Sequence, residues 1–412
     1  MDLSIGRHPV YWLPRGSGAA GLLTGKASDA WAALAVARMP SQLMRPAKKA
    51  LKMSHRLKLS LTRRGLSRVS SRAFAATGLG SPILRRCVRG GALVFMFHRV
   101  LPASELDGYF DPGVVVSEES FAAFIPFLRQ YFEIVPLGEL VERLSRGPLQ
   151  TPACSLTFDD GWEDNYRCAW PILKRERAPA TIFVTSSYIG RDRLRWEDAF
   201  WRLTRHLGME ERSGVNRELR ARHSWLAACG DPTSLAEVRA CLAACPRSEQ
   251  EALSHALIED LQRLAPGPAT ELPGRSYMHI EEIRAMAEDG VEFGAHTVSH
   301  PRLTRLGNDD AWAELAQGKR VLEERLGRAV MSLAYPYGDC DARVRDLAAK
   351  AGYSVAVTVE PLPARPGTDP MLLPRVGVCE EMVASSSGRF DPSLFLFHIS
   401  VALARALGGR SG

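Results

Sequence analysis

Acidic residues are nearly missing from the first 90 positions, which hold 17 lysines and arginines against only Asp2 and Asp29; from Ser54 to Arg89 there is none at all. The rest of the chain carries 36 basic against 44 acidic residues. The net charge of +7 therefore comes from a strongly basic leading segment attached to a mildly acidic body. Such a body argues against a nucleic-acid groove built into it. Long apolar runs are also lacking. No stretch approaches the ~18 to 20 residues of a membrane span. No basic start followed by an apolar core and a small-residue cleavage site marks a secretory signal. The expected location is cytoplasmic, or peripheral on the inner membrane. The eight cysteines, at 87, 154, 168, 229, 241, 245, 340 and 379, form no Cys-x-x-Cys pair and no short disulfide framework, so they read as reduced structural thiols. Cys241 and Cys245 share a helical face but lack third and fourth ligands nearby, which favours packing over metal binding.

Three segments follow from composition. Residues 1–90 form a basic extension. Its first 52 positions read as disordered or loosely helical, Met53 offers a second start, and residues 54–89 mix basic with apolar residues. That mixture suits peripheral contact with an anionic membrane, or a solvated tail. Residues 91–378 alternate buried strands with amphipathic helices, the rhythm of a parallel α/β fold, broken at about 190–273 by a mostly helical insertion. Residues 379–412 form a C-terminal tail or helix.

The strands predicted within the body end in polar residues. Ala92–Phe97 runs into His98, Cys154–Phe158 into Asp159-Asp160-Gly161, Ala180–Val184 into Thr185, and Val291–Ala295 into His296. Both an α/β barrel and an open doubly wound sheet place their sites at the C-terminal ends of strands. Candidates from at least four strands favour the barrel. Two adjacent carboxylates repel each other and persist beside a cation or a shared proton. His296-Thr-Val-Ser-His300-Pro301, about 135 residues downstream, adds two imidazoles. One carboxylate and two imidazoles make a three-ligand hydrolytic metal site with a position left for water. In that reading Asp160, His296 and His300 are the ligands and Asp159 is the base. Either motif alone is weak, since His-x3-His also describes two surface imidazoles; their joint occurrence, each after an apolar strand, carries the reading.

At these residues the sequence resembles the polysaccharide deacetylase family, which shares a domain with nodulation chitooligosaccharide deacetylases. Thr157-Phe-Asp-Asp-Gly161 is similar to its first motif, His296 to Pro301 to its second, and Tyr335-Pro-Tyr-Gly338 to the core of its third. The resemblance covers roughly residues 91–378 without the insertion. It implies a distorted (β/α)7 barrel with Asp159 as general base, and with Asp160, His296 and His300 as ligands of a divalent metal. That metal is expected to be Zn2+, with Co2+, Mn2+ or Fe2+ also suited to the donor set. The backbone N–H of Tyr337 is implied as part of an oxyanion hole.

This chain departs from the family pattern twice. Ala334 stands where the third motif usually has the arginine that orients the base, and Arg375 is the candidate replacement, with Arg99 second. No unambiguous equivalent of the late histidine acid follows Arg375. His98, at the end of the first strand, is assigned that role, with His398 as the alternative. The expected function is metal-dependent removal of N-acetyl groups from amino sugars of a polysaccharide or lipid-linked saccharide. The alternative is a catalytically degenerate carbohydrate-binding protein on the same fold.

Overall fold

The computed structural model describes residues 74–106, 113–192, 194–205, 207–265 and 276–408, together with Ser71. The expectations for residues 1–70, including the start at Met53, lie outside the described residues. The described residues fall into two compact units: those within Met1–Ala103, Pro112–Ile189 and Met278–Gly412 make one, and those within Ser104–Asp111 and Gly190–Tyr277 the other.

The larger unit is built on short parallel strands: β1 (Ala92–Phe97), β2 (Arg99–Leu101), β3 (Val115–Ser117), β4 (Glu133–Ile134), β5 (Ala153–Phe158), β6 (Ala180–Val184), β7 (Glu292–Ala295), β8 (Ser332–Ala334), β9 (Val355–Val357) and β10 (Val376–Gly377). Seven run side by side in the order β10-β1-β5-β6-β7-β8-β9, with β4 beside the start of β5. Among the described residues, β2 and β3 pair as a separate two-stranded sheet. The larger sheet curls until its ends share one piece of chain. Leu373 pairs with Val357 of β9, and three residues on Val376 pairs with Phe95 of β1. The distorted barrel expected from the sequence is thus closed by the segment that carries Arg375.

Alternation along the strands sorts the core into two faces. Leu93, Phe95 and Phe97 of β1 and Cys154, Leu156 and Phe158 of β5 join the outer helices in one cluster, where Phe97 stacks on Phe158 and meets Phe121 edge-on. Ala92, Val94, Ala153 and Phe183 point the other way, into a narrower cluster with Val357 and Leu373. Phe183 is fully buried in this interior. A Cβ on Gly294 would come within 2.5 Å of its ring and of Ser332 Oγ, so only glycine fits there. Thr157 and Asp159 share the inward parity, which is what brings Asp159 to the mouth of the barrel.

Ser117 caps the helix Glu118–Leu128 by accepting the Ser120 N–H, and Asp341 caps Ala342–Lys350 through Val344 N–H. After β5 the chain forms a π turn, Asn165–Ala169, followed by the helix Trp170–Glu176. The widened turn ends two residues before Pro171, which has no N–H to give to the carbonyl one turn back. Within the basic extension, the helix Gly80–Cys87 buries Ile83 and Leu84, and Gly80 lies against Leu396 of the C-terminal helix Pro392–Gly408. The apolar side of this part of the segment expected to touch a membrane therefore faces protein.

The smaller unit packs the helices Trp196–Thr204, Met209–Arg222, Leu235–Ala243 and Arg247–Leu264 around Phe200, Leu219, Val238, Leu257 and Leu261. All eight cysteines are free thiols. Among the described residues, no helix is long and apolar enough to cross a membrane.

Candidate active site and metal centre

Five described non-glycine residues have left-handed backbone, and four of them, Asp160 (φ 78°), Thr297 (64°), His300 (61°) and Tyr337 (61°), lie together at the strand ends. An L-residue pays roughly 1–2 kcal/mol for that conformation, and such strain concentrates where geometry is fixed for a purpose. Here it turns the chain sharply as β5, β7 and β8 end, so that side chains from three strands converge.

His296 Nε2 and His300 Nε2 stand 3.6 and 3.4 Å from the same oxygen, Asp160 Oδ1. One ligand atom from each of the three residues lies within 4.8 Å of the others, and all three residues are buried. Two ligands at about 2.0–2.1 Å from one ion at the tetrahedral angle would be about 3.4 Å apart, so the spacing fits a shared divalent cation better than hydrogen bonding. The tautomer agrees. His296 Nδ1 is 2.7 Å from the carbonyl of Ala334, an acceptor only, so Nδ1 carries the proton and the Nε2 lone pair faces Asp160. Burial lowers the His296 pKa against the pull of Asp159 and Asp160, which keeps the ring in the neutral form a metal requires.

The loop that presents the two histidines is held from both sides. Ser186 and Ser187 N–H donate to the carbonyls of Thr297 and Val298. From the helix Asn308–Leu326, Glu314 accepts the N–H groups of Val298 and Ser299 at 2.9 Å each and the Ser299 hydroxyl at 2.6 Å. One turn on, Gly318 lets the helix close on the loop, since a Cβ there would lie 2.9 Å from the Thr297 carbonyl carbon. Tyr337 packs edge-to-face with His300, ring centroids 4.7 Å apart, and the Arg302 guanidinium lies 4.2 Å from the Tyr337 ring centroid.

Beside this cluster, Arg375 makes two parallel 2.7 Å hydrogen bonds to the two oxygens of Asp159. The guanidinium is fully buried, and its Nε donates to Thr358 C=O and one Nη to Thr157 Oγ1. Burial alone would raise the Asp159 pKa. Arg375 outweighs it, aided by His296 and His98, and holds the carboxyl at about 2. Asp159 is therefore a carboxylate at neutral pH.

The other candidates are placed as follows. His98, half-buried at the end of β1, is close enough for its charge to act on Asp159. Arg99, the second candidate for orienting the base, instead pairs with Asp164 at 2.6 Å. His398 sits beside Phe397 on the C-terminal helix, whose Phe395 packs on outward-facing Phe95 and Phe124. That places His398 in the outer helical layer. Three contributors carried no sequence signal: the Ala334 carbonyl, Glu314, and the Trp162 indole, which donates to Asp160 Oδ2 at 3.1 Å. Only the position of Trp162 directly after Asp-Asp-Gly could have suggested it.

The family described as polysaccharide deacetylase matches residues 146–224 and 272–356. The match takes in Asp159, Asp160, His296, His300 and Tyr337 and leaves out His98, Arg99 and Arg375. A putative polysaccharide deacetylase of Bacillus subtilis, YxkH, is 22% identical over 304 residues, 73% of this chain and 76% of the relative. A poly-beta-1,6-N-acetyl-D-glucosamine N-deacetylase of Staphylococcus aureus is 26% identical over 121 residues, 27% of this chain and 42% of the relative. Among solved structures, IcaB from Ammonifex degensii aligns with a TM-score of 0.45 at 22% identity, covering 70% of this chain and 92% of that one.

Proposed function

We propose, from the premise that the chain carries a polysaccharide deacetylase domain and belongs to that family, that it is a metal-dependent hydrolase removing N-acetyl groups from amino sugars of a glycan. The observation that carries this reading is the pairing of two differently equipped carboxylates. Asp160 faces two imidazole nitrogens, while its neighbour Asp159 is gripped by Arg375 and kept ionised. Two titratable groups whose surroundings give them separate tasks mark the division between ligand and base.

A divalent cation held by Asp160, His296 and His300 would polarise the amide carbonyl and activate water for attack. The chain's own groups supply the rest. Asp159 accepts the proton released as water adds to the carbonyl carbon. His98 donates a proton to the sugar nitrogen as the carbon–nitrogen bond breaks, which leaves acetate and a free amine. The Tyr337 N–H serves the oxygen of the tetrahedral intermediate. Arg375 supports activity over mere sugar binding, because it supplies from the barrel seam the cation that Ala334 lacks.

The named activity of the Staphylococcus relative supports an N-acetylglucosamine polymer as substrate class. The test is acetate release from N-acetylglucosamine oligomers, with and without added Zn2+ or Co2+. Oligomer binding without acetate release under any of these metals would favour the degenerate carbohydrate-binding protein instead.

A further inference from the structure

Asp160 offers two oxygens, and they are treated differently. Oδ1 faces the nitrogens of His296 and His300, at 3.6 and 3.4 Å, whereas Oδ2 takes the indole N–H of Trp162 at 3.1 Å. The indole is itself held. Trp162 is only 2% exposed, and the Arg99 guanidinium lies 4.3 Å from its ring centroid, a flat cation against an aromatic face. Arg99 is anchored in turn by Asp164, whose Oδ2 accepts its Nε at 2.6 Å and whose Oδ1 accepts the Val100 N–H at 2.8 Å. Asn165 ties in the same strand end by donating to the His98 carbonyl at 2.8 Å.

The geometry points to a buried relay, Asp164 to Arg99 to Trp162, that positions Asp160 so that Oδ1 alone is presented to the metal. This rests on the proposed metal site and says how that site is tuned. A carboxylate next to a cation can ligate through one oxygen or both. A hydrogen bond to one oxygen fixes the rotation of the group and reserves that oxygen, and partners of this kind govern metal affinity in other sites.

Simple packing accounts for the relay less well. A buried ion pair costs more in desolvation than an apolar pair of similar volume, and an indole used only as filler has no need to aim its N–H at a ligand. Both features follow if the side chains between Asp164 and Asp160 serve to hold one carboxylate in one orientation. Trp162, Arg99 and Asp164 are positioning residues in this scheme, acting through Asp160.

The test uses the full chain freed of metal, titrated with Zn2+ in competition with a chromophoric chelator and separately loaded with Co2+, whose visible absorption reports coordination number. Trp162→Phe removes the N–H and keeps a ring for Arg99 to cover. It is expected to fold like the wild type, to bind Zn2+ ~10- to 100-fold more weakly, and to show a changed Co2+ band as Asp160 becomes free to turn. Arg99→Lys keeps the charge opposite Asp164 but loses the flat stack, and is expected to show a smaller loss in the same direction. Unchanged Zn2+ affinity and Co2+ spectrum in Trp162→Phe would overturn the relay. If that variant does not fold, unchanged values in Arg99→Lys overturn it. Wild-type protein that binds neither metal would refute the metal site itself and the relay with it, an outcome distinct from loss of the relay alone.

Discussion

Arg375 holds Asp159 by two parallel 2.7 Å hydrogen bonds, and it does so from the segment that closes the barrel. One ion pair thus joins the seam of the fold to the base of the proposed reaction. Arg375→Met leaves a buried carboxylate without its cation, so unfolding free energy at pH 7 should drop by about 3–5 kcal/mol. Adding Asp159→Asn should recover most of that loss, as a double-mutant cycle in chemical denaturation would show. The pH dependence has a definite sign. Because the folded carboxyl is depressed to about 2, its stabilisation is complete above the unfolded value of about 3.9 and is lost as pH falls toward the folded one. The gap between wild type and Arg375→Met should therefore narrow between about pH 4 and pH 2 in metal-free protein.

The ligand and base assignments separate in a second set of variants. His296→Ala and His300→Ala should each lose bound metal and remain folded, since both residues stand at strand ends rather than within the core. Asp159→Asn should keep its metal and lose activity by ~10²- to 10⁴-fold, the range for removal of general-base catalysis. Metal analysis by mass spectrometry beside acetate release checks both. Loss of metal from Asp159→Asn with retention in Asp160→Asn would exchange the two roles.

A third expectation reaches the site from a distance. Gly318 is in the middle of the helix Asn308–Leu326, and a methyl group there would meet the Thr297 backbone at 2.9 Å. Overpacking of this kind costs about 1–3 kcal/mol, and here the structure that must move is the loop carrying His296 and His300. Gly318→Ala, although alanine has the higher helix propensity, should lower both the thermal midpoint and the Zn2+ affinity, because Gly318 is buried against the loop. A raised midpoint with unchanged affinity would show that the loop is not pressed by this helix.

The sequence disclosed what local chemistry encodes and withheld what depends on closure. Asp159, Asp160, His296 and His300 were legible because each motif directly follows an apolar strand, and strand ends are where parallel folds gather their sites. Ala334 drew notice for the arginine it lacks, but its contact with His296 uses a carbonyl that every residue possesses, so its side chain gave no sign of it. Glu314 and Gly318 act through a helix whose facing loop cannot be known before the fold. Arg375 was legible only as a candidate. What singles it out is the shared segment from Leu373 to Val376, a long-range pairing invisible to periodicity. Arg99 shows the opposite case, a plausible partner for Asp159 that the structure assigns to Asp164.

The proton donor is decided by pH rather than by geometry alone. Imidazole gains and loses its proton near neutrality, which suits a group that must hand a proton to a departing amine. His98 ends β1, near enough to Asp159 to act on it electrostatically, so it stands with the proposed base at the mouth of the barrel. Its backbone is fixed by Asn165 Nδ2, which donates to the His98 carbonyl at 2.8 Å, so replacing the imidazole should leave that strand end in place. His98→Ala is accordingly expected to retain metal, to lower kcat with little change in KM, and to remove the alkaline limb of the kcat profile, because that limb marks loss of the proton from the acid. His398→Ala is the control, since that ring lies beside Phe397 on the outer helix. An alkaline limb that persists in His98→Ala and disappears in His398→Ala would move the assignment to the C-terminal helix. A limb that persists in both would exclude either histidine as the acid.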